Sequence, residues 1–166
     1  KPVFYTEDFL AKLKNDQIHN AIVLEDDVSD RLRIIQTLMK NKINVHSFIH
    51  ETSFLGGQNL IESGTIIFPM CFIGYKTDIK LGTIIQQNSS IGHHSVIGKC
   101  CNIETSVTTN GFSLIGDLST IHSSATIINR INIGKECEIG AGSLVIKNCQ
   151  ERSMYVGTPA RKIKEL

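Results

Sequence analysis

From Ile49 onward an aliphatic side chain returns every six positions: Ile49, Leu55, Ile61, Ile67, Ile73, Ile79, Ile85, Ile91, Ile97, Ile103, then Ile115, Ile121, Ile127, Ile133, Ile139 and Val145, with Thr109 the one exception. An α-helix returns its apolar face every three or four residues and a strand every two, so a strict six marks a repeat rather than a single element. Two residues before the aliphatic the side chain is usually small, as at Thr65, Cys71, Ser89, Ser95, Ala125 and Ser143, which suits a crowded inward slot. Glycine follows the aliphatic in two series, Gly56, Gly74, Gly92 and Gly98, Gly116, Gly134, and predicts a sharp backbone turn after each short strand. Three strands and three corners fill eighteen residues, one coil of a triangular β-solenoid with the aliphatics stacked in columns inside. An antiparallel sandwich rich in isoleucine has nothing that enforces this period.

Residues 1–48 obey other rules. Thr6 can cap a short helix with Phe9, Leu10 and Leu13 on one side. Residues 20–24 (NAIVL) form an apolar run of buried-strand type, followed by the acidic Glu25, Asp26 and Asp27. Asp27 or Ser29 then caps a second helix that buries Leu32, Ile35, Leu38 and Met39 and turns Arg31, Arg33 and Lys40 outward. Residues 44–49 read as another strand, giving a βαβ unit with parallel strands. The acidic triplet lies where α/β sheets often bind ligands, but no glycine-rich loop accompanies it, and a solvated loop is the simpler reading. A piece this short must lean on the solenoid or on upstream sequence. The chain opens on Lys1 rather than Met, which also points upstream.

The hexads run without insertion and falter once, where Thr109 puts a polar residue in an inward column ahead of the turn dipeptide Asn110-Gly111. After Val145 the repeat stops. Residues 149–166 carry Gly157 and Pro159 and end in a basic tail compatible with a helix, whose role is to cover the last coil. The expected organisation is therefore 1–48 α/β piece, 49–148 solenoid and 149–166 cap.

Seventeen Lys and Arg against sixteen Asp and Glu, with no basic block, give no reason to expect nucleic acid or a membrane surface as partner. There is no apolar run of about 18 residues and no signal-peptide profile, so a cytoplasmic protein is expected. Cys71, Cys101 and Cys137 occupy small inward slots, while Cys100 and Cys149 do not. Without CxxC spacing, neither a disulfide framework nor a cysteine zinc site is expected.

Of six histidines, His19, His46 and His50 belong to the α/β piece and its border, where ordinary packing or surface roles are expected. His93 and His94 follow Gly92 at a corner, so at least one should point outward, and imidazole is the side chain best suited to taking a proton near neutral pH. His122 could join them as a metal ligand only across a subunit boundary, so no metal is expected.

Gly92-His93-His94-Ser95-Val96-Ile97-Gly98, the hexapeptide register, and the closing Val156-Gly157-Thr158-Pro159-Ala160 together resemble the left-handed parallel β-helix acyltransferases. The nearest branch contains the UDP-4-amino-sugar N-acetyltransferases (PglD-like) and the sialic-acid O-acetyltransferases (NeuD-like). The resemblance covers the chain from about residue 20 to its end, and the histidine corner after a partial Rossmann-like βαβ piece makes it specific.

The resemblance implies a mainly β left-handed helix in a homotrimer, with acetyl-CoA as co-substrate lying between prisms and a sugar or nucleotide-sugar acceptor beside the histidine. His93 falls on the family's general base. Asn102, Gly111, Ser123 and Ala141 fall where the family contacts acetyl-CoA, and the missing side chain at Gly111, one coil above His93, would leave room for the thioester arm. The implied reaction is direct acetyl transfer to the amino group of a nucleotide-linked amino sugar, in bacterial surface-glycan biosynthesis. O-acetylation of sialic acid or another surface sugar is the alternative within enzymes, and a non-catalytic trimeric scaffold the alternative outside them. Two departures stand out: His94 occupies the place of the usual Asp or Glu beside the base, leaving Glu104 as the candidate acidic partner, and the family's N-terminal glycine-rich loop has no counterpart.

Overall fold

The computed structural model describes residues 11–13 and 15–166. Thr6, Phe9 and Leu10 lie outside the described residues, while Leu13 is helical and buried. The βαβ unit is present: β1 (Asn20–Ala21) runs parallel to β2 (Asn44–Val45), joined through α1 (Val28–Lys40). Asp27 caps α1 by accepting the Ser29 and Asp30 N–H groups, satisfying donors that the first helical turn leaves free. β1 covers only the first two residues of the apolar run, and Ile22 and Leu24 are exposed while Val23 is buried. The run at 44–49 splits, because Phe48–Ile49 pairs with Ile66–Ile67 and already belongs to the solenoid.

Each hexad contributes one two-residue strand, and strands eighteen residues apart pair in parallel, as Ser90–Ile91 does with Phe72–Ile73 below and Thr108–Thr109 above. The result is three sheets of six, five and eight strands, one on each side of a prism. The columned isoleucines from Ile67 to Ile139 are almost wholly buried, each contributing about 1.5–3 kcal/mol. Ile49 and Leu55, in the first coil, remain more than a third exposed. Thr109 does not interrupt the winding; it is buried, and its hydroxyl accepts the Gly92 N–H.

The small slots do more than save space. Thr83 Oγ1 donates to Gly98 O and accepts the Cys101 N–H, and Ser89 and Ser119 repeat the pattern around the prism. Cys101 donates its thiol to Gly116 O in the same way. The coils are thereby stitched at their corners, and no buried side-chain polar atom among the described residues lacks a partner.

The glycines after the aliphatics do not make the turns. The left-handed backbone falls two residues later, at Lys76, Asn88, His94, Ser106, Phe112 and their equivalents. Glycine is needed instead because successive coils nearly touch: a Cβ on Gly92 would lie 2.4 Å from the Asn110 carbonyl carbon, and one on Gly116 2.4 Å from Lys135 N. The reason for glycine here is close backbone approach.

Arg31 corrects the expected outward face of α1. It is fully buried, with Nε donating to Gly82 O at 2.8 Å, Nη2 to Cys100 O and Cys101 O, and Nη1 to Glu25 O. Gly64, Gly82 and Cys100 line up at one corner, and their small size seats Ile35, whose Cδ1 would lie 2.5 Å from a Cβ on Gly82. Leu38 is buried beside Ile35, whereas Met39 is exposed. Ile35, Leu38 and Val45 thus form a second core with Cys100, which binds the α/β piece to the prism.

The tail is a β-hairpin, not a helix. Ser153–Gly157 adds in parallel to Glu138–Ile139, and Ala160–Glu165 returns antiparallel beside it. Tyr155 and Ala160 pack against the end of the core. No described helix is long and apolar enough to cross a membrane.

Candidate functional site

The edge that follows the six-stranded sheet carries both corner histidines. The eighteen-residue period places Lys76, His94, Phe112 and Arg130 in one column and Tyr75, His93 and Gly111 in the next. Both imidazoles are exposed, and their Nδ1 atoms are 3.0 Å apart, so one donates and the other accepts. His94 stacks on Phe112 at 5.0 Å between centroids and 15° between planes, and Tyr75 meets its ring edge-on. His93 meets Phe112 edge-on at 5.1 Å. Lys76 Nζ lies 5.4 Å from the Tyr75 ring centre, and the Arg130 guanidinium lies 4.9 Å from that of Phe112.

Gly111 leaves room for the imidazole itself rather than only for a ligand. A Cβ there would lie 2.8 Å from His93 Cε1 and Nε2. The clash is with the far end of a movable side chain, so Gly111→Ala should fold while displacing the ring. A displacement on the scale of an ångström costs about 10²-fold in a positioned reaction. Any activity that depends on His93 should fall by about that factor, with an unchanged thermal midpoint separating the effect from unfolding.

Within one chain Glu104 is not brought to His93. Its Oε1 lies 2.9 Å from His122 Nδ1, and its Oε2 accepts the Ser123 N–H and hydroxyl at 3.0 and 2.9 Å. Partial burial pushes this carboxyl up, but the hydrogen bonds from Ser123 and the His122 pair outweigh it and hold Glu104 below the usual carboxylate range. Glu62 makes the same clamp one edge away, with Lys80 and the Leu81 N–H. The arrangement therefore ties adjacent coils together. Because the folded pKa is depressed, the stabilisation is present above the unfolded carboxylate pKa and is lost as pH falls through the folded one. Urea midpoints followed downward from pH 6 should thus fall less steeply for Glu104→Gln than for the parent.

The other anticipated residues are scattered over the prism. Ser123 and Ala141 share the edge that follows the eight-stranded sheet, away from the His93 edge, and Ala141 is exposed there. Asn102 lies on the outer face of the eight-stranded sheet, and its amide donates to Asp26 O at 2.7 Å. This contact holds the acidic loop against the solenoid. Within one chain, only Gly111 and His94 are brought to His93. Tyr75, Phe112, Lys76 and Arg130 were not singled out from sequence, although eighteen-residue spacing from the histidines marks their positions.

All five cysteines are free and buried. Burial pushes Cys101 and Cys149 up to about 12 and raises the other three, so none is a ready nucleophile. No group of three or more metal-ligating side chains converges among the described residues.

No protein-family model and no curated sequence matches the chain. Solved structures do. PerB from Caulobacter crescentus, in complex with CoA and GDP-perosamine, is 17% identical with a TM-score of 0.76, over 93% of this chain and 75% of that one. The acetyltransferase domain of PglB from Neisseria gonorrhoeae is 16% identical with a TM-score of 0.88, over 92% and 77%; it is also known in complex with acetyl coenzyme A. WeeI from Acinetobacter baumannii is 19% identical with a TM-score of 0.56, over 98% and 78%. At these identities the likeness establishes the fold: this chain is a hexapeptide-repeat β-solenoid with a small α/β start, of the kind seen in those structures.

Proposed function

We propose that the chain is an acetyl-CoA-dependent acetyltransferase that works as a cytoplasmic homotrimer and acylates the amino group of a nucleotide-linked amino sugar in surface-glycan biosynthesis. The observation that carries the reading is the exposed His93 imidazole, seated over Gly111 with its Nδ1 held by His94. His93 Nε2 has no hydrogen-bond partner among the described residues, as a base awaiting an acceptor should be.

The chemistry then follows from proton bookkeeping. As the acceptor nitrogen bonds to the acetyl carbonyl carbon, it gives a proton to His93 Nε2. The imidazolium keeps donating its Nδ1–H to neutral His94 Nδ1, which fixes the tautomer and ring orientation as a carboxylate would, without its charge. When the carbon–sulfur bond breaks, the thiolate takes the proton back from Nε2. The Gly111 N–H, which no acceptor among the described residues takes, is a donor at the same corner for the oxyanion.

The homotrimer reading is supported by two features. Ser123 and Ala141 can reach a thioester at His93 only if another copy brings its edge alongside. The outer faces of the solenoid also carry exposed apolar residues, including stacked Phe54 and Phe72 at 5.4 Å, Leu60 and Leu114.

The test is thiol release from acetyl-CoA against a panel of nucleotide-linked amino sugars and sialic acids. Release with amine acceptors is the expected result. Release with hydroxyl acceptors alone would make the protein an O-acetyltransferase, and failure to bind acetyl-CoA would make it a scaffold.

A further inference from the structure

Phe112 stands where the winding alone asks for no aromatic ring. It lies at a corner with φ 59°, a left-handed conformation in which glycine or asparagine is least strained, and equivalent corners hold Gly64, Gly82, Asn88 and Gly142. Among the described non-glycine residues at positive φ, the only rings are those of Phe112 and of His94, one coil below it. Phe112 belongs to neither core cluster and is 43% exposed, so burial does not account for it. Its contacts supply a reason. The His94 ring stacks on it at 5.0 Å and 15°, the His93 ring meets it at 5.1 Å and 85°, and the Arg130 guanidinium lies 4.9 Å from its centre. Its own N–H donates to His93 O at 2.9 Å, which ties its coil to the one that carries the base.

Both imidazoles are exposed, so each left to itself would sample three staggered χ1 wells and two χ2 orientations. The Nδ1 to Nδ1 bond of 3.0 Å fixes one ring relative to the other, not the pair relative to the prism. Tyr75 meets His94 alone, and the space over Gly111 seats His93 alone. Among the described aromatic side chains outside the pair, only Phe112 meets both rings, parallel to one and perpendicular to the other, matching the 89° between the imidazoles. We infer that Phe112 is a positioning residue, which holds His93 and His94 as one unit and so keeps His93 Nε2 in a single place. Arg130 steadies the Phe112 ring in turn through a cation–π contact. The effect on rate rests on the acetyltransferase reading; the effect on the rings does not.

Two exchanges remove the ring without asking the backbone for a new conformation: Phe112→Leu, since Leu118 has the same φ of 59°, and Phe112→Asn, since Asn88 has 61°. Phe112→Tyr keeps the ring. Thiol release from acetyl-CoA is followed for each with the nucleotide-linked amino sugar that the parent acylates fastest, beside the thermal midpoint. Loss of restraint alone spreads His93 over about six orientations, and a displacement on the ångström scale costs about 10²-fold. Both ring-removing exchanges should therefore lower kcat by about 6- to 100-fold with KM for acetyl-CoA little changed, and Phe112→Tyr should recover most of the loss. A loss confined to KM would mark a substrate contact and overturn the inference. An equal loss in Phe112→Tyr, or the parent's kcat in Phe112→Leu and Phe112→Asn, would overturn it as well.

The rings are also read without turnover. Nitrogen NMR of the parent should show the two Nδ1 atoms coupled through their shared proton, with each imidazole in one tautomer. The coupling should vanish in Phe112→Leu and Phe112→Asn and persist in Phe112→Tyr. Coupling that persists without the ring would overturn the inference whether or not any acceptor is acylated. If the parent releases no thiol while the coupling follows the ring, the acetyltransferase reading falls and the positioning role stands.

Discussion

Exchange of His93 for alanine should lower kcat/KM for acetyl transfer by about 10²- to 10⁴-fold, the range that a positioned general base contributes. The fold should survive, because the ring is exposed and its contacts are to Phe112, His94 and the space over Gly111 rather than to the isoleucine columns. KM for acetyl-CoA should change little, since the lost interaction is made as the proton moves. His94→Gly provides the companion measurement. Position 94 has φ 55°, where glycine is unstrained, so the substitution removes the acceptor of the His93 Nδ1–H without straining the backbone. A loss smaller than that of His93→Ala would fit a residue that orients the base. An equal loss would mean that the two imidazoles act as one proton-sharing unit, and no loss would remove His94 from the mechanism.

The largest effect on stability is expected at Arg31. Arg31→Met keeps an unbranched side chain of similar reach but leaves Gly82 O and Cys100 O without a donor among the described residues. A buried carbonyl left unpaired costs about 1–3 kcal/mol, so the loss should reach several kcal/mol. It should also be local. The prism is stitched by its own strand pairs and inward hydroxyls, whereas the α/β piece is tied to it chiefly by Arg31, the Ile35 seat and the bond from Asn102 to Asp26 O. Urea unfolding of Arg31→Met should therefore separate into an early and a late transition, with proteolytic cuts falling first in the α/β piece. A single transition at the parent midpoint would show that Arg31 is dispensable.

The winding of this molecule was legible because one physical requirement, an aliphatic at the inward strand position, recurs at every hexad but that of Thr109 and fixes strand pairing at eighteen residues. The βαβ unit and the Asp27 cap were legible from local chemistry for the same reason. Arg31 was not: helical spacing places it near the buried stripe, but an arginine is expected in solvent unless something accepts its donors, and here the acceptors are backbone carbonyls far along the chain. The corner glycines were recognised for the wrong reason, since sequence spacing does not distinguish a turn from a close approach between coils. Glu104 shows the same limit, because the residue that pairs with it, His122, stands eighteen positions away in the next coil. The cap was anticipated at the tail, but a basic run ending in Ile163 and Leu166 does not reveal a hairpin until Ser153–Gly157 finds the edge of the sheet. Of the site, the histidines came from their corner, while the aromatic column beneath and above them becomes visible only when the coils are stacked.

The central claim is that His93 of one protomer works with the edge of another, and mixed trimers test it directly. His93→Ala and Ala141→Trp each alter an exposed position on a different edge, so each should be inactive alone while leaving the prism intact. Dissociated and reassembled together, random mixing restores an unaltered pair of edges at about a quarter of the sites. Recovery of roughly that fraction of the parent's thiol-release rate is the predicted result. If the mixture stays as inactive as its parts although mixed trimers have formed, the site does not draw these two edges from different protomers and the account is wrong.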